Sequence, residues 1–391
     1  MAMSQTILAL NAGSSTIKFA AYEVDADGLT LICKGLLDRR SGDTGFIIKD
    51  PAGNIVEKSG ATAASSDSDS TKTLIERVEP LLGGRRLAAA GHRIVHSGPD
   101  FSAPIQVNSD ILQKLGALTP LAPLHQPGCL APIRSLLALR PQLPQVACFD
   151  TAFHRDLAPI YRRFPLPHEF EAKGIRRYGF HGLSFEYIAH RLPRPQARSI
   201  IAHLGSGCSL CALSHGKSVN TTMSLTPLDG VMMATRSGAI DPGLLLYLLQ
   251  SEHMSVSGVE DLLYRKSGLL GLSGISADMR TLLASGDPRA GQAVDQFCAR
   301  IAEQAAALVS NIGGIDALVF TGGIGENSPE IRRKICARLE WIGLQLDDSA
   351  NTQGRDVISA ADSGVEVLII PTDEEAMIAQ HTRDVVLGVP G

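Results

Sequence analysis

Two segments of the sequence, about half the chain apart, share one pattern: a short apolar run, a turn of small residues and a second apolar run. The first is ILALNAGSSTIKFA (7–20) and the second is IIAHLGSGCSLCAL (200–213). Apolar runs on both sides of a glycine-serine turn are typical of β-hairpins. The two hairpins indicate either a duplicated unit, with two related lobes and a cleft between them, or a coincidence.

The length of 391 residues allows a duplication, because a single hydrophobic core rarely extends beyond about 250–300 residues. Strand-like runs alternate with helical segments in the C-terminal part, including a strand, a glycine loop and a helix over 316–339. This alternation predicts an α/β fold with largely parallel sheets that become mixed at the hairpins. We expect one domain over 1–152 plus 377–391 and a second over 153–376.

Composition narrows the functional class. The net charge of −4 disfavours a nucleic-acid binder, which is more often basic. The longest apolar run, GLLLYLL (243–249), is too short to cross a membrane, and the N-terminus lacks the basic region of a secretory signal. Seven scattered cysteines fit reduced thiols in the cytoplasm, and we expect Cys208 and Cys211 to be buried rather than zinc ligands.

Three turns carry groups that suit a phosphate. The first hairpin turn holds Asn11, three hydroxyls and Lys18, and an asparagine oxygen suits Mg²⁺. The second hairpin turn, at 205–207, contains two glycines, and glycine turns expose backbone N–H groups to anions. The loop 322–327 follows a strand and precedes a helix start at Ser328-Pro329, a typical place for a phosphate or a nucleotide edge. The alternatives are ordinary hairpins, a solvated Lys18 and a tight strand-helix turn.

Polar residues are concentrated at several apparent strand ends. Arg93, His125 and Asp150 lie at these ends, and the segments YGFHG and MMATRSGAIDP add His181 and Arg236. Each alone is explained by a surface arginine, a satisfied histidine or a capping aspartate. Together they match phosphoryl transfer, in which several cations and donors surround the oxygens of the moving group.

Nine segments together resemble the family of acetate and propionate kinases, within the actin, Hsp70 and sugar-kinase superfold. In chain order they are LNAGSSTIKF, GHRIVHSG, LAPLHQPG, FDTAFH, YGFHGLS, HLGSG, TPLDGVMMATRSGAIDPG, FTGGIGEN and PTDEEAMIA. The resemblance implies two duplicated ribonuclease-H-like lobes with mixed sheets flanked by helices. The N-terminal lobe would bind the acyl substrate and phosphate, and the C-terminal lobe the nucleotide.

The resemblance also implies an activity and its partners. The reaction would be a reversible, Mg²⁺-dependent, direct in-line transfer from ATP to acetate that gives acetyl phosphate and ADP. Mn²⁺ could replace Mg²⁺. The family is homodimeric and cytoplasmic, with no nucleic-acid or membrane partner. The alternatives are a propionate or butyrate kinase, an Hsp70- or actin-like ATPase, and a sugar kinase.

Site residues follow from the same resemblance. Asn11 and Glu374 would hold Mg²⁺, and Arg93 would bind the carboxylate. His125, His181 and Arg236 would contact the transferring phosphoryl group. The substrate methyl would lie against Val95, Leu124, Phe180 and Pro227. ATP would be bound by Lys18, His203, Leu204, Gly205, Ser206, Gly207, Asp278, Met279, Arg280, Gly323, Ile324, Gly325, Glu326 and Asn327.

Asp150 matches the family's catalytic aspartate, which is described as a proton donor or acceptor. Acetate is already ionised at neutral pH and has no proton to remove. We therefore expect Asp150 to orient Arg236 or a Mg²⁺-bound water. The chain departs from the family pattern at Gln126, Ser206, Asn220, Ser224, Asp229, Ala234 and Ala239. A smaller residue than Val95 would admit a longer acyl chain.

Overall fold

The computed structural model of the chain describes residues 5–13, 16–25, 28–38, 45–59 and 67–388. The hydroxyls of Ser14 and Ser15 and residues 60–66 of the predicted loop at 59–73 lie outside these ranges. The chain divides into two compact units. Unit 1 comprises Met1–Ala152 and Asp373–Gly391, and unit 2 comprises Phe153–Thr372. The second segment of unit 1 thus begins at Asp373 rather than at residue 377.

The described strands follow one another along the chain in two groups. Those of unit 1 are β1 (Gln5–Ala12), β2 (Thr16–Asp25), β3 (Gly28–Asp38), β4 (Gly45–Lys49), β5 (Ile55–Ser59), β6 (Arg86–Ile94), β7 (Ile105–Gln106) and β8 (Gln145–Phe149). Those of unit 2 are β9 (Ser199–Leu204), β10 (Cys208–Ser214), β11 (Lys217–Thr221), β12 (Ala317–Thr321) and β13 (Glu366–Ile369).

The helices are numbered here in chain order. They are α1 (Asp67–Val78), α2 (Ser109–Ala117), α3 (Gln126–Leu139), α4 (Pro159–Arg162), α5 (His168–Ala172), α6 (Gly182–Arg191), α7 (Pro242–Gln250), α8 (Val256–Arg265), α9 (Gly268–Ser273), α10 (Met279–Leu283), α11 (Pro288–Asn311), α12 (Gly322–Asn327), α13 (Pro329–Ala337), α14 (Asp348–Gln353) and α15 (Glu374–Leu387). The first three and α15 belong to unit 1.

The two sheets contain the same five-strand arrangement. The strand order is β5-β4-β3-β2-β1-β6-β8-β7 in unit 1 and β11-β10-β9-β12-β13 in unit 2. Two neighbouring pairs in each unit are antiparallel: β1-β2 and β2-β3 in unit 1, and β9-β10 and β10-β11 in unit 2. The first hairpin strand then pairs in parallel with a later strand, and that strand pairs in parallel with another, as β1-β6-β8 in unit 1 and as β9-β12-β13 in unit 2. The repeated hairpin in the sequence therefore marks a repeated topology.

Three details differ from the sequence-based expectations. Antiparallel neighbours outnumber parallel ones, because β3, β4 and β5 extend the first hairpin through short connections that permit only antiparallel pairing. Helix α1 begins at Asp67 rather than near Thr71. The predicted glycine loop 322–327 is the short helix α12, entered through Gly322 at φ 77° and held by Glu326, which accepts a hydrogen bond from the Gly322 N–H at 2.8 Å.

The central strands of unit 1 are buried, and their polar site residues lie where these strands end. β1 is buried at every residue after Gln5, and β8 is buried throughout. The parallel neighbours β1, β6 and β8 end at the same edge of the sheet, where ligands commonly bind in α/β folds. Asn11, Arg93 and Asp150 lie at those three strand ends.

Candidate active site

Arg93 and Asp150 form a buried ion pair in unit 1. Nε and Nη2 of Arg93 donate to Oδ2 of Asp150 at 2.9 and 2.5 Å, and the side chains are 16% and 1% exposed. The Asp150 backbone N–H donates to the Ile94 carbonyl at 3.0 Å, which holds the end of β8 against the end of β6. Oδ1 of Asp150 is buried and has no hydrogen-bond partner among the described residues.

Burial and charge act against each other in this pair. Burial raises the pKa of Asp150 to about 6, since the Arg93 charge that lowers it does not fully offset desolvation, and Glu374 raises it further. Burial works against the charge of Arg93, but the attraction of Asp150 leaves the net pKa of Arg93 raised. Arg93 is therefore charged at neutral pH, and Asp150 is mostly ionised.

Asn11 holds two glutamates at the start of α15. Its Nδ2 donates to Glu374 at 2.8 Å and to Glu375 at 2.9 Å. Burial and the neighbouring Glu374 charge raise the pKa of Glu375, and Lys18, which pairs with Asn11 across the hairpin and is exposed, lowers it. The sequence did not predict the role of Glu375 in this cluster.

The proposed apolar residues fall into both units. Val95 follows β6 and is buried, and Leu124 is half-buried just before His125, the residue that precedes α3. Phe180 and Pro227 are buried residues of unit 2. The carbonyl of Pro227 accepts from Nη1 of Arg236 at 3.2 Å, and the Arg236 guanidinium lies over the Tyr264 ring at 5.8 Å from its centroid.

Two histidines stack in unit 2. The rings of His181 and His203 are 4.4 Å apart at 24°. Nδ1 of His181 lies 2.8 Å from the Ser209 hydroxyl, and Nδ1 of His203 lies 2.8 Å from the Ser184 hydroxyl. His181 has a left-handed backbone (φ 58°) immediately before α6. Its position is thus set by an uncommon turn and by its ring neighbour.

His154 supports this turn, a role that the sequence did not indicate. It is buried, with Nε2 at 3.1 Å from the Phe180 carbonyl and Nδ1 at 2.7 Å from the Ser218 hydroxyl. A carbonyl can only accept, so Nε2 carries the proton and Nδ1 accepts from Ser218. Burial lowers the pKa of His154 to about 4 and keeps the ring neutral.

A cavity of about 790 Å³ opens in unit 2. Of the residues predicted for ATP, it is lined by Gly205, Ser206, Asp278, Met279, Arg280, Gly323, Ile324 and Asn327. It is also lined by Ser328 and Pro329, the helix start that the sequence marked as a place for a phosphate or a nucleotide edge, and by four residues that the sequence did not indicate: Ala277, Leu283, Ala284 and Glu330. The first residues of α10 and α13, with their caps Asp278 and Ser328, both border it.

Five predicted nucleotide-binding residues of unit 2 do not line this cavity. They are His203, Leu204, Gly207, Gly325 and Glu326. Leu204 and Gly325 are buried, and Oε1 of Glu326 accepts from the backbone N–H groups of Gly322 and Thr372 at 2.8 and 3.1 Å. His203 is stacked on His181. The assignment of these five residues to ATP stays a prediction.

The donor set at Asn11 and Glu374 fits a hard cation. Within the described ranges no group of three or more His, Cys, Asp or Glu side chains forms a metal cage. Mg²⁺ is usually held by one or two carboxylates, water and substrate phosphates rather than by such a cage. Burial, and after it the neighbouring charge of Glu374, raises the pKa of Glu375, and a cation beside the two carboxylates would relieve their repulsion.

Two further observations concern the whole chain. In the part of the chain that the structure describes, no helix is long and apolar enough to span a membrane. All seven cysteines, Cys208 and Cys211 included, are buried free thiols.

Comparison with known proteins gives a consistent result. The model of the Acetokinase family matches residues 6–380. An acetate kinase of Rhodopseudomonas palustris is 48% identical over 389 residues, which cover 97% of this chain and 98% of that protein. A propionate kinase structure from Francisella tularensis has a TM-score of 0.89 at 37% identity, covering 97% and 100% of the two chains. The Porphyromonas gingivalis acetate kinase structure has a TM-score of 0.86 at 34% identity, covering 98% and 100%.

Proposed function

The chain belongs to the Acetokinase family, and on that premise we propose that it transfers a phosphoryl group reversibly from ATP to acetate, giving acetyl phosphate and ADP. The observation that carries the choice of a small carboxylate is the buried Arg93 guanidinium, which is followed two residues later by the buried Val95. A cation beside an apolar side chain matches a substrate with one carboxylate and one methyl.

Arg93 has the donors for this task. Asp150 accepts from the Nε–H and from one N–H of Nη2. The N–H donors of Nη1 are therefore left for the carboxylate of the substrate. Asp150 keeps the guanidinium fixed in orientation and compensates its charge before the substrate arrives. The proposal therefore makes Arg93 the carboxylate receptor and Asp150 the residue that orients it.

The chemistry needs no general base. At neutral pH the acid is an anion, and its oxygen attacks the γ-phosphorus while the bond to the β–γ bridging oxygen breaks, so no proton is transferred. The described partner of Asp150 is Arg93, and the expected role of Asp150 in orienting Arg236 or a Mg²⁺-bound water stays a prediction. We assign His125, His181 and Arg236 to the oxygens of the transferring group, where donors and positive charge stabilise the transition state.

Asn11 and Glu374 would hold Mg²⁺, which supplies positive charge to the phosphate oxygens. Asn11 also donates to Glu374 and Glu375 and so orients the carboxylates at the start of α15. The buried Oδ1 of Asp150 is suited to accept a hydrogen bond from water in this region.

The nucleotide is assigned to the cavity of unit 2. Its volume of about 790 Å³ accommodates a nucleotide, and its lining combines apolar side chains with the small residues Gly205, Ser206 and Gly323. Small residues let the nucleotide approach the backbone. Asp278, Met279 and Arg280 would form the opposite wall.

The test is trapping of acyl phosphate with hydroxylamine, using Mg·ATP and formate, acetate, propionate or butyrate in parallel. We expect the largest kcat/KM with acetate. If no acid yields a hydroxamate, the proposal of an acyl kinase is wrong. A maximum with propionate would reject only the choice of acetate.

Propionate kinase is the second candidate. The observation in its favour is the similarity to the Francisella tularensis propionate kinase structure. One methylene in an apolar pocket changes kcat/KM by only about 10–200-fold, so activity with both acids is expected.

We also propose a cytoplasmic homodimer. Helix α7 supports dimerisation, because it has no buried residue and exposes Leu244, Leu246 and Tyr247. An apolar helix of this kind is typical of a surface that a second protein covers. Light scattering should give twice the mass of the chain, and Leu246→Lys should shift the protein toward monomer.

The proposed cytoplasmic location is supported by the seven buried thiols, which are in keeping with a reducing compartment.

A further inference from the structure

Gln126 is a glutamine at 0% exposure, placed at the start of α3 directly after His125. Its side-chain oxygen accepts from the His96 backbone N–H at 3.2 Å. Its amide nitrogen donates to the carbonyls of His96 at 3.3 Å and Leu115 at 3.1 Å. One side chain thus binds both backbone polar groups of His96, as a neighbouring strand would.

The segment bound in this way is the Val95 loop, residues 95–98, which follows β6. A second set of contacts holds its other side. The Ser97 N–H donates to Oγ1 of Thr151 at 3.1 Å, and the Thr151 hydroxyl donates to Oγ of Ser97 at 2.6 Å. The loop is therefore fixed to α3 through Gln126 and to the residue after Asp150 through Thr151.

We propose that Gln126 is a positioning residue that sets the acyl-chain length the enzyme accepts. It joins the Val95 loop to the segment that carries Leu124 and His125, so it fixes the two apolar residues of unit 1 that are assigned to the substrate methyl. The inference rests on the proposed function. Gln126 itself touches no substrate and acts through the backbone of His96.

The physical reason is that Gln126 is fully buried, so bulk water cannot replace the three hydrogen bonds that its side chain makes. A shorter side chain cannot reach both His96 and Leu115, and a buried N–H or carbonyl left unpaired is costly enough to move the loop. Because one methylene is worth about 10–200-fold in such a pocket, a small movement of Val95 changes the preference between acids measurably.

Two variants separate the length of the side chain from its amide. Gln126→Asn keeps the amide and removes one methylene, and Gln126→Met keeps the length and removes the amide. For both, kcat/KM is measured with acetate and with propionate, together with KM for ATP. We expect the propionate-to-acetate ratio to rise at least about threefold, with KM for ATP changed by less than about twofold.

Gln145→Asn is the matched control. Gln145 is a second glutamine of unit 1, 1% exposed, and its amide donates to the Ile133 carbonyl at 3.4 Å rather than to the Val95 loop. It should lower Tm without changing the acid preference. If Gln126→Asn lowers Tm and leaves the ratio unchanged or lowered, Gln126 is only a structural residue and the proposal is wrong.

Thr151→Val tests the same loop from its other anchor and serves if the Gln126 variants do not fold. It should also raise the ratio of propionate to acetate, because the Val95 loop loses its Ser97 contacts. An unchanged ratio here rejects the proposal as well. If the wild-type protein forms no acyl phosphate from any acid, the proposed function has failed, whereas an active wild type with unresponsive variants rejects only the role of Gln126.

Discussion

The candidate site residues of unit 1 hold one another through buried side-chain contacts, whereas the cavity of unit 2 is bordered by backbone, small residues and exposed side chains. Asp150 is 1% exposed and bound to Arg93, and Asn11 is bound to Glu374 and Glu375. The Arg280 side chain on the cavity wall is 92% exposed. The difference suits the two proposed ligands, because binding a small anion requires charged groups held in place, whereas binding a nucleotide requires an open cavity.

This difference has a consequence for mutagenesis. In unit 1 Arg93 and Asp150 depend on each other, and Asp150 is buried, so a substitution of either should change folding stability and substrate binding together. In unit 2 the residues that shape the cavity are separable from those that hold the backbone around it. Substitutions there should change either nucleotide binding or stability, according to which group is altered.

The largest expected effect tests this coupling at Arg93. Arg93→Ala leaves the Asp150 carboxylate buried without its partner, which costs about 3–5 kcal/mol in the free energy of unfolding. Loss of the carboxylate receptor should lower kcat/KM for acetate by about 30- to 5,000-fold, equivalent to about 2–5 kcal/mol. Urea unfolding and steady-state kinetics measure the two effects.

The double variant Arg93→Ala/Asp150→Ala is the control for the unfolding measurement. Removing both charges should restore part of the stability that Arg93→Ala loses, because no unpaired charge remains buried. Additive losses in the double variant would mean that the two side chains do not interact as the structure indicates.

The next effect compares acid sensitivity in the two units. His92 in unit 1 and His154 in unit 2 are both buried, and burial lowers the pKa of each to about 4 from 6.5. The unfolded chain therefore takes up protons that the folded chain does not, so stability is complete above pH 6.5 and is lost as pH falls through about 4. Each histidine accounts for about 3 kcal/mol over this range.

His92→Asn and His154→Asn should each flatten the dependence of the unfolding free energy on pH between about 4 and 6.5. The slope is the relevant measurement, because either substitution also lowers stability at neutral pH. His154→Asn should in addition reduce kcat, since the His154 ring bonds the Phe180 carbonyl just before His181. Parallel slopes for wild type and both variants would contradict the prediction.

The sequence predicted much of the fold because its strongest signals are local. The repeated hairpin left duplication and coincidence open, and the family resemblance implied the duplicated lobes that the two sheets show. Ser328-Pro329 predicted the start of α13, where the Ser328 hydroxyl accepts from the Ile331 N–H. The turn of Gly322 into α12 depends on Glu326 folding back onto the Gly322 N–H, and no propensity of a glycine-rich segment indicates that contact.

Pairings between distant residues were the part that the sequence could not supply. Arg93 and Asp150 were both predicted as site residues, but their ion pair follows from the parallel pairing of β6 and β8 across 57 positions of the chain. Glu326 was predicted to bind ATP from its place in a glycine-rich segment. Its side chain binds backbone N–H groups, including that of Thr372, a contact that its place in the sequence does not indicate.

A smaller effect tests whether the cavity of unit 2 is separable from its framework. A side chain at Gly323 would meet no atom within 4 Å, so Gly323→Leu should fold normally and occupy cavity space. We expect KM for ATP to rise about tenfold, the effect of about 1.4 kcal/mol of lost binding, with KM for acetate unchanged. Gly322→Ala is the contrast, since at φ 77° its Cβ would lie 2.8 Å from the Leu204 carbonyl oxygen. Gly322→Ala should lower Tm. If both variants changed Tm and KM for ATP equally, the cavity would not be separable from its framework.

The smallest effect concerns the cap of α10 on the cavity wall. Asp278 accepts from the N–H groups of Arg280 and Thr281, and its pKa is lowered to about 2 by the Arg280 side chain and by these backbone donors. Asp278→Ala removes the cap and should cost about 0.5–2 kcal/mol. The lowered pKa means that this contribution is present above about pH 4 and is lost as pH falls toward 2.

Asp278→Asn distinguishes the cap from the ion pair. Asparagine caps helices about as well as aspartate does, so this variant should keep the stability that Asp278→Ala loses. The exposed Arg280 contact contributes little by itself, because solvent screens it. Thermal unfolding of the two variants at pH 7 decides between them. If Asp278→Asn were as unstable as Asp278→Ala, the wall would depend on the charge of Asp278, as unit 1 depends on its charges, and the contrast between the two regions would be smaller than the structure indicates.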